Sequence, residues 1–289
     1  MAIKSYKGFD KNLRCRDFQY KIGGIYEMDG EIKVCSRGFH ACESPFDVFD
    51  YYTMIDSRFC EVEQDGNISK EDRRTKICSS KIKIKTELKL ADMINLGIEW
   101  LKEITLPEKI KTSIKDNSSG NYAQIGSSGD GAKIGSSGNN AQIGSSGNNA
   151  KIGSSGDGAK IGSSGYDAKI GSSGYNAQIG SSGDGAKIGS SGYDAKIGSS
   201  GNNAQIGSSG NNAKIDSTGE DCVIMCAGIN SVAKASKGSW ITLSEWSYSE
   251  GKQRYIPICV KTEFVDGEKI KADTYYSLKG GVFVEWIND

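Results

Sequence analysis

Residues 132–156 read AKIGSSGNNAQIGSSGNNAKIGSSG, and the same nine-residue unit continues on both sides. Its form is Ala-Lys/Gln-Ile-Gly-Ser-Ser-Gly followed by two variable residues. Ala recurs at every ninth position from Ala123 to Ala213, and Ile follows two residues later from Ile125 to Ile215. Self-similarity at a short fixed period marks a stacked repeat architecture. Ala and Ile flank a Lys or Gln, which is the alternation of a short strand with one buried and one wet face. Gly-Ser-Ser-Gly and the pair after it (Asn-Asn, Asp-Gly, Tyr-Asp or Tyr-Asn) tolerate left-handed backbone angles or bond their own backbone, so they read as turns.

Nine residues are too few to close around a packed interior. Two units, eighteen residues, make a flattened coil with a strand on each side; a three-sided coil of 27 residues is the other solution. Either way, coils stack at about 4.8 Å per layer with Ala and Ile in a thin core. The expected fold is mainly β, a β-solenoid (parallel β-helix) of nonapeptide repeats. With so little apolar area inside, backbone pairing and ladders of Ser and Asn between coils must hold it together. Bare ends would expose strand edges, and degenerate units flank the tract. Before it, Asp116 stands where Ile belongs; after AKIDSTGED (213–221), the stretch CVIMCAGINSVAKASKG (222–238) blurs the phase. The resulting division is an α+β head over 1–113 that ends in a helix, the solenoid over 114–221, and degenerate rungs with a β-hairpin cap over 222–289.

In the head, TKICSSKIKIKTEL (75–88) alternates as a half-exposed strand, and RFCEVEQDG (58–66) reads as another. LADMINLGIEWLKEI (90–104) carries Leu90, Met93, Ile94, Ile98 and Leu101 at helical spacing. Ser44-Pro45-Phe46-Asp47 predicts a helix start with Ser44 as N-cap and a short aromatic helix to Tyr52. In the tail, Asp266-Gly267 and Gly280-Gly281 signal hairpins. Trp240, Trp246, Phe264, Tyr275, Phe283 and Trp286 are expected to build the cap, which is also a candidate homodimer surface because aromatic residues are enriched at interfaces.

The 36 Lys and Arg balance the 36 Asp and Glu, which removes any global electrostatic case for nucleic acid or an anionic membrane. No run of about 18 apolar residues is present, and MAIKSYKGFD has no apolar core of signal-peptide length. These features predict a soluble chain in the host cytosol with no membrane partner. Under that expectation the eight cysteines are reduced thiols rather than a disulfide framework.

Eighteen-residue coils would stack Lys133, Lys151, Lys169 and Lys187 on one face, followed by Gln205. The other face would mix Gln124, Gln142, Lys160, Gln178, Lys196 and Lys214. The Lys row is a candidate surface for phosphates or an acidic protein. Between residues 114 and 221, however, eight Lys face eight Asp plus Glu220, so a merely solvated face is the competing reading. Tyr166, Tyr175 and Tyr193, in turns, are candidate anchors for a partner. The calcium-binding nonapeptide GGxGxDxUx is excluded because Lys or Gln occupies its aliphatic position and Asn or Gly most of its acidic ones. No metal and no cofactor are expected.

His40 is the single histidine. A zinc set of Cys15, Cys35, His40 and Cys42 is conceivable by residue type but lacks a CxxC knuckle; a histidine bonded in a small core or poised in a binding pocket is the preferred reading. A Cys42–His40 nucleophile pair lacks a third orienting group.

The order YKGF (6–9), GFHACESPFDVFDYY (38–52), RFCEVEQ (58–64) resembles the opening strand, central strand-helix and following strand of ADP-ribosyltransferase-like domains, and that resemblance implies a transferase in the head. Tyr6-Lys7-Gly8-Phe9 lacks the His or Arg of that family's first motif, and neither Glu61 nor Glu63 sits in a catalytic motif of that family. Over nearly the whole chain, YKGFDKNLRCRDFQYKIGGIYE, CSRGFHACESPFDVFDYY, the Gly-Ser repeat and KGSWITLSEW are similar to an uncharacterised family of bacteriophage and prophage proteins. That similarity implies a viral or mobile-element origin. The reading that unites these features is a non-enzymatic scaffold whose solenoid presents surfaces to a host macromolecule, as an inhibitor of a host defence or nucleic-acid enzyme. A virion fibre and an ADP-ribosyl-transferring head are the alternatives.

Overall fold

The computed structural model describes residues 2–70, 75–104 and 120–287. The chain divides into two compact units, Met1–Trp100 and Leu101–Asp289.

The first unit is built on an antiparallel barrel. β1 (Ile3–Phe9) pairs with β6 (Arg58–Lys70) over its full length, β6 with β7 (Lys76–Leu88), and β7 with β5 (Phe39–Cys42). β5 returns to β1 through one pair, Tyr6 opposite Cys42, so the ring closes thinly there. β2 (Arg14–Cys15) and β3 (Phe18–Gln19) form a small hairpin, and β4 (Ile25–Glu27) adds to the outer edge of β7. β6 and β7 are long enough to bend over the barrel because their register shifts twice, between Glu61 and Val62 and between Asp65 and Ile68. The interior is made of large side chains, among them Phe9, Phe39, Val62, Ile82 and Ile84. Helix α1 (Leu90–Ile104) buries Met93, Ile94 and Ile98, as its spacing predicts. Gly97 lets it lie against the ring of Phe46, where a Cβ would come within 2.7 Å.

The aromatic helix is shorter than expected. It is a 3-10 turn over Phe46–Asp50 whose N-cap is Pro45 and which has no side-chain cap bond. Ser44 is buried, and its hydroxyl takes no hydrogen-bond partner. Phe46, Val48 and Phe49 are pulled into the core, and packing rather than capping sets the turn.

The second unit is a two-sided solenoid. Strands of four residues, Lys/Gln-Ile-Gly-Ser, pair in parallel with the strand eighteen residues on: Gln142 with Lys160, Lys151 with Lys169. This register rules out the three-sided coil. Seven strands stack in each of two sheets before both sheets turn antiparallel. The turns are shorter than the sequence suggests, because the first Gly and first Ser of Gly-Ser-Ser-Gly belong to the strand. Ile and Ser thus point inward, and Lys or Gln and Gly point outward.

Each repeated residue has a physical reason. The second variable residue adopts positive φ in every coil, from Gly131 and Asn140 to Asp221 and Asn230, which restricts it almost wholly to Gly, Asn and Asp. The second Gly of Gly-Ser-Ser-Gly has a different constraint: from Gly138 to Gly228, a Cβ there would overlap the carbonyl oxygen of the glycine one coil below. The first variable residue, when Asn or Asp, accepts a hydrogen bond from the backbone N–H one coil on. Asp130 does so from Asn148, Asn148 from Tyr166, and Asp184 from Asn202. The expected Asn ladder is therefore real. The inward serines form no such ladder: the hydroxyls of Ser145, Ser154, Ser163, Ser172 and Ser181 are buried without partners. Serine serves there as a small filler, at the cost of unpaired hydroxyls.

The degenerate stretch continues the coil, through Val223–Cys226 and Val232–Ala235. The last step shortens to seventeen residues, with Val223 opposite Trp240. The strand Trp240–Ser249 then folds back in a hairpin with Arg254–Phe264, and Tyr276–Lys279 pairs antiparallel with Val232–Ala235. Gly280-Gly281 is the hairpin turn its sequence predicts, between Tyr276–Lys279 and Val282–Glu285. Asp266-Gly267 is not: the Asp266 carboxylate accepts the amides of Glu268 and Ile270 and shapes a loop, while the long hairpin turns at residues 250–253. Val265, Ile270, Tyr276 and Leu278 complete the solenoid core. Trp240 and Phe264 meet on the outside at 5.0 Å with their rings tilted by 51°, both substantially exposed.

Candidate functional site

Two features stand out, one in each unit. The first is a cleft of about 1210 Å³ in the head, lined by residues of β1, the β2–β3 hairpin, β4, β5 and the segment 50–52. One wall is aromatic. Phe18 meets Tyr20 at 4.7 Å and Tyr26 at 5.3 Å, both edge to face, and lies 6.4 Å from Phe39.

Polar groups face this wall. Lys7, in the middle of β1, is turned inward and buried; its ammonium donates to the His40 carbonyl at 2.9 Å and to Cys15 Sγ at 3.5 Å. Burial lowers its pKa, and the neighbouring Cys15 works the other way. Tyr52 O–H also donates to Cys15 Sγ, at 2.9 Å; Gly8 makes room for its ring. Burial, reinforced by Cys15, keeps that phenol protonated well above its usual range. Lys76 donates to Cys35 Sγ at 3.3 Å and sits 4.4 Å from the centre of the Tyr51 ring.

His40 lines the cleft, where its Nε2 accepts the Cys35 N–H at 3.0 Å. Burial, with Lys76 and Lys7 nearby, presses its pKa down to about 4, so the imidazole is a neutral acceptor near pH 7. Cys42 is buried, and burial pushes its thiol up to about 12, which removes it as a nucleophile. Among the described residues, no three His, Cys, Asp or Glu are grouped to hold a metal ion; the hydrogen bonds of Cys15 run to Lys7 and Tyr52, and those of Cys35 to Lys76 and His40. Glu61 pairs with Lys4 and Glu63 with Lys85, and neither lines the cleft.

The second feature is one sheet of the solenoid. Lys133, Lys151, Lys169 and Lys187 stand in register on adjacent strands, all exposed. Beside them run Gly135, Gly153, Gly171 and Gly189, with open space where side chains would be. The result is a shallow groove of about 690 Å³ floored by backbone and edged by ammonium groups. Among the described residues these four lysines have no ion pair. Of the acids in the turns, Asp130, Asp157 and Asp184 accept backbone amides of the next coil. On the other sheet, Gln142 and Lys160 are buried.

Tyr175 and Tyr193 stack at 5.1 Å with ring planes 9° apart on one edge of the coil. Tyr166 is exposed on the opposite edge, so the structure brings two of the three tyrosines together. The cap also exposes Tyr255, Ile258, Val260 and Ile287. Among the described residues, no helix is long and apolar enough to cross a membrane.

The sequence named the Lys row, which the structure sets in register, and His40, which lines the cleft, but not the Lys7–Cys15–Tyr52 cluster. Its one local signal is a lysine inside the otherwise inward-facing run Tyr6–Phe9. Residues 3–96 match a family described as a domain of unknown function, DUF7666. No curated protein and no solved structure matches the chain.

Proposed function

We propose that the protein is a binding scaffold of phage or mobile-element origin, whose solenoid docks its Lys133–Lys187 face on an acidic surface of a host protein. The carrying observation is the row of four in-register, exposed lysines that have no ion pair among the described residues. Adjacent strands lie about 4.8 Å apart, so neighbouring ammonium groups repel by up to about 0.9 kcal/mol per pair even at the dielectric of water. An anionic partner relieves that repulsion. A row about 14 Å long, straight and flat, with tyrosines along the edge, suits a protein surface, since tyrosine anchors interfaces well.

The test is lysine-directed crosslinking in host lysate. The expected result is one host protein joined to Lys151 or Lys169, lost in the Lys133/Lys151/Lys169/Lys187→Gln variant and at about 0.5 M salt, where screening is short-ranged. Retention of the same partner by the variant overturns the proposal. Crosslinks that vanish with nuclease treatment replace it with nucleic-acid binding.

A further inference from the structure

In the head cleft, two donors converge on one sulfur. Cys15 Sγ lies 3.5 Å from Lys7 Nζ and 2.9 Å from the Tyr52 hydroxyl, and Cys15 is partly open to the cleft. Lys7 is only 5% exposed and, among the described residues, has no carboxylate partner. Its other contacts are the His40 carbonyl and the rings of Phe9 and Tyr20, at 5.5 and 5.6 Å. A buried ammonium without an anion is strongly disfavoured, and the ionisable side chain that Lys7 hydrogen-bonds is the Cys15 thiol. Burial disfavours the charged form of Lys7, and its Nζ is the group placed to take the Cys15 proton as the sulfur attacks. That placement makes the sulfur the nucleophile.

We propose that Cys15 is the nucleophile of an acyl-accepting site in the head, with Lys7 as its proton partner and Tyr52 as the second donor to sulfur. The aromatic wall of Phe18, Tyr20, Tyr26 and Phe39 selects a flat aromatic ester or thioester. In the step, Sγ bonds to the carbonyl carbon and the thiol proton is held by Lys7 Nζ. The bond to the leaving oxygen or sulfur breaks, and the leaving group departs with that electron pair, taking the proton where it is basic enough.

Iodoacetamide tests the nucleophile in the full-length protein, with Cys259 as internal control because it is also partly buried. Cys15 is expected to alkylate about tenfold faster than Cys259 near pH 7, because Lys7 Nζ stands beside its sulfur to take the proton. Lys7→Met is expected to bring the two rates together and Tyr52→Phe to slow Cys15 less. Equal or slower reaction of Cys15 in the unmodified protein overturns the proposal without recourse to a variant. 4-Nitrophenyl acetate tests the substrate class: one acetyl group on Cys15, seen by peptide mass, is expected, and acetylation elsewhere or nowhere overturns it.

Discussion

The head and the solenoid of this chain reach stability by opposite uses of volume. The head is filled with large side chains, such as Phe9 inside the barrel and Phe46 and Phe59 beside it, each essentially without exposure. The solenoid has Ala, Ile and Ser inside, and its tightest points are glycines with the carbonyl of another glycine directly beneath. Atoms removed should therefore damage the head, and atoms added should damage the solenoid.

The largest effect expected from breaking this contrast is Phe46→Ala. It should destabilise the head by about 3–5 kcal/mol, read as faster amide exchange in β1 and β6, with exchange in residues 160–217 unchanged. Faster exchange in both units would end the comparison. Next comes the addition of one methyl group: Gly174→Ala puts a Cβ into the Gly156 carbonyl. It should cost about 3 kcal/mol, seen in thermal unfolding of the solenoid. Deleting a ladder side chain is milder. Asn148→Ala removes the acceptor of the Tyr166 amide and should cost about 1 kcal/mol. Smallest is Gly171→Ser, where nothing lies within 4 Å of the added atom; a change within about 0.5 kcal/mol is expected. Gly171 and Gly174 sit three residues apart in the same repeat unit, so a matched loss at both would show that the steric argument is wrong.

The head adds a pH test. The single histidine is held near pKa 4 in the folded state, below the usual value of about 6.5. The unfolded chain therefore binds the extra proton first, and stability should fall as pH drops from about 6.5 towards 4. The His40 ring resonance, followed by NMR, should titrate near the lower value; a midpoint near the ordinary one would mean that the imidazole is not enclosed as described.

Much of the solenoid was legible because its determinants are local and repeated. The step of nine, the alternation about Lys or Gln and the Asn/Asp/Gly pairs each report one backbone requirement, met again in every coil. The strand limits were harder to read, because Gly and Ser are poor strand formers in isolation and are held there by pairing on both sides. The Asp266-Gly267 hairpin failed for the related reason that a carboxylate two residues from an amide can build a loop by itself. In the head, the strands and helix were readable by period. The cleft was not, since Lys7, Cys15 and Tyr52 lie on three separate elements and meet only through the barrel's closure.

The disparity between a nine-residue unit and an eighteen-residue coil has an evolutionary corollary. A gene that gains or loses one unit by slippage would send every later strand to the opposite sheet, moving Lys187 and its successors off the lysine edge. Gain or loss in pairs would preserve the pattern and merely lengthen or trim it. The tract is thus a ruler graduated in pairs, and natural length variants that keep this face should differ from one another by even numbers of units.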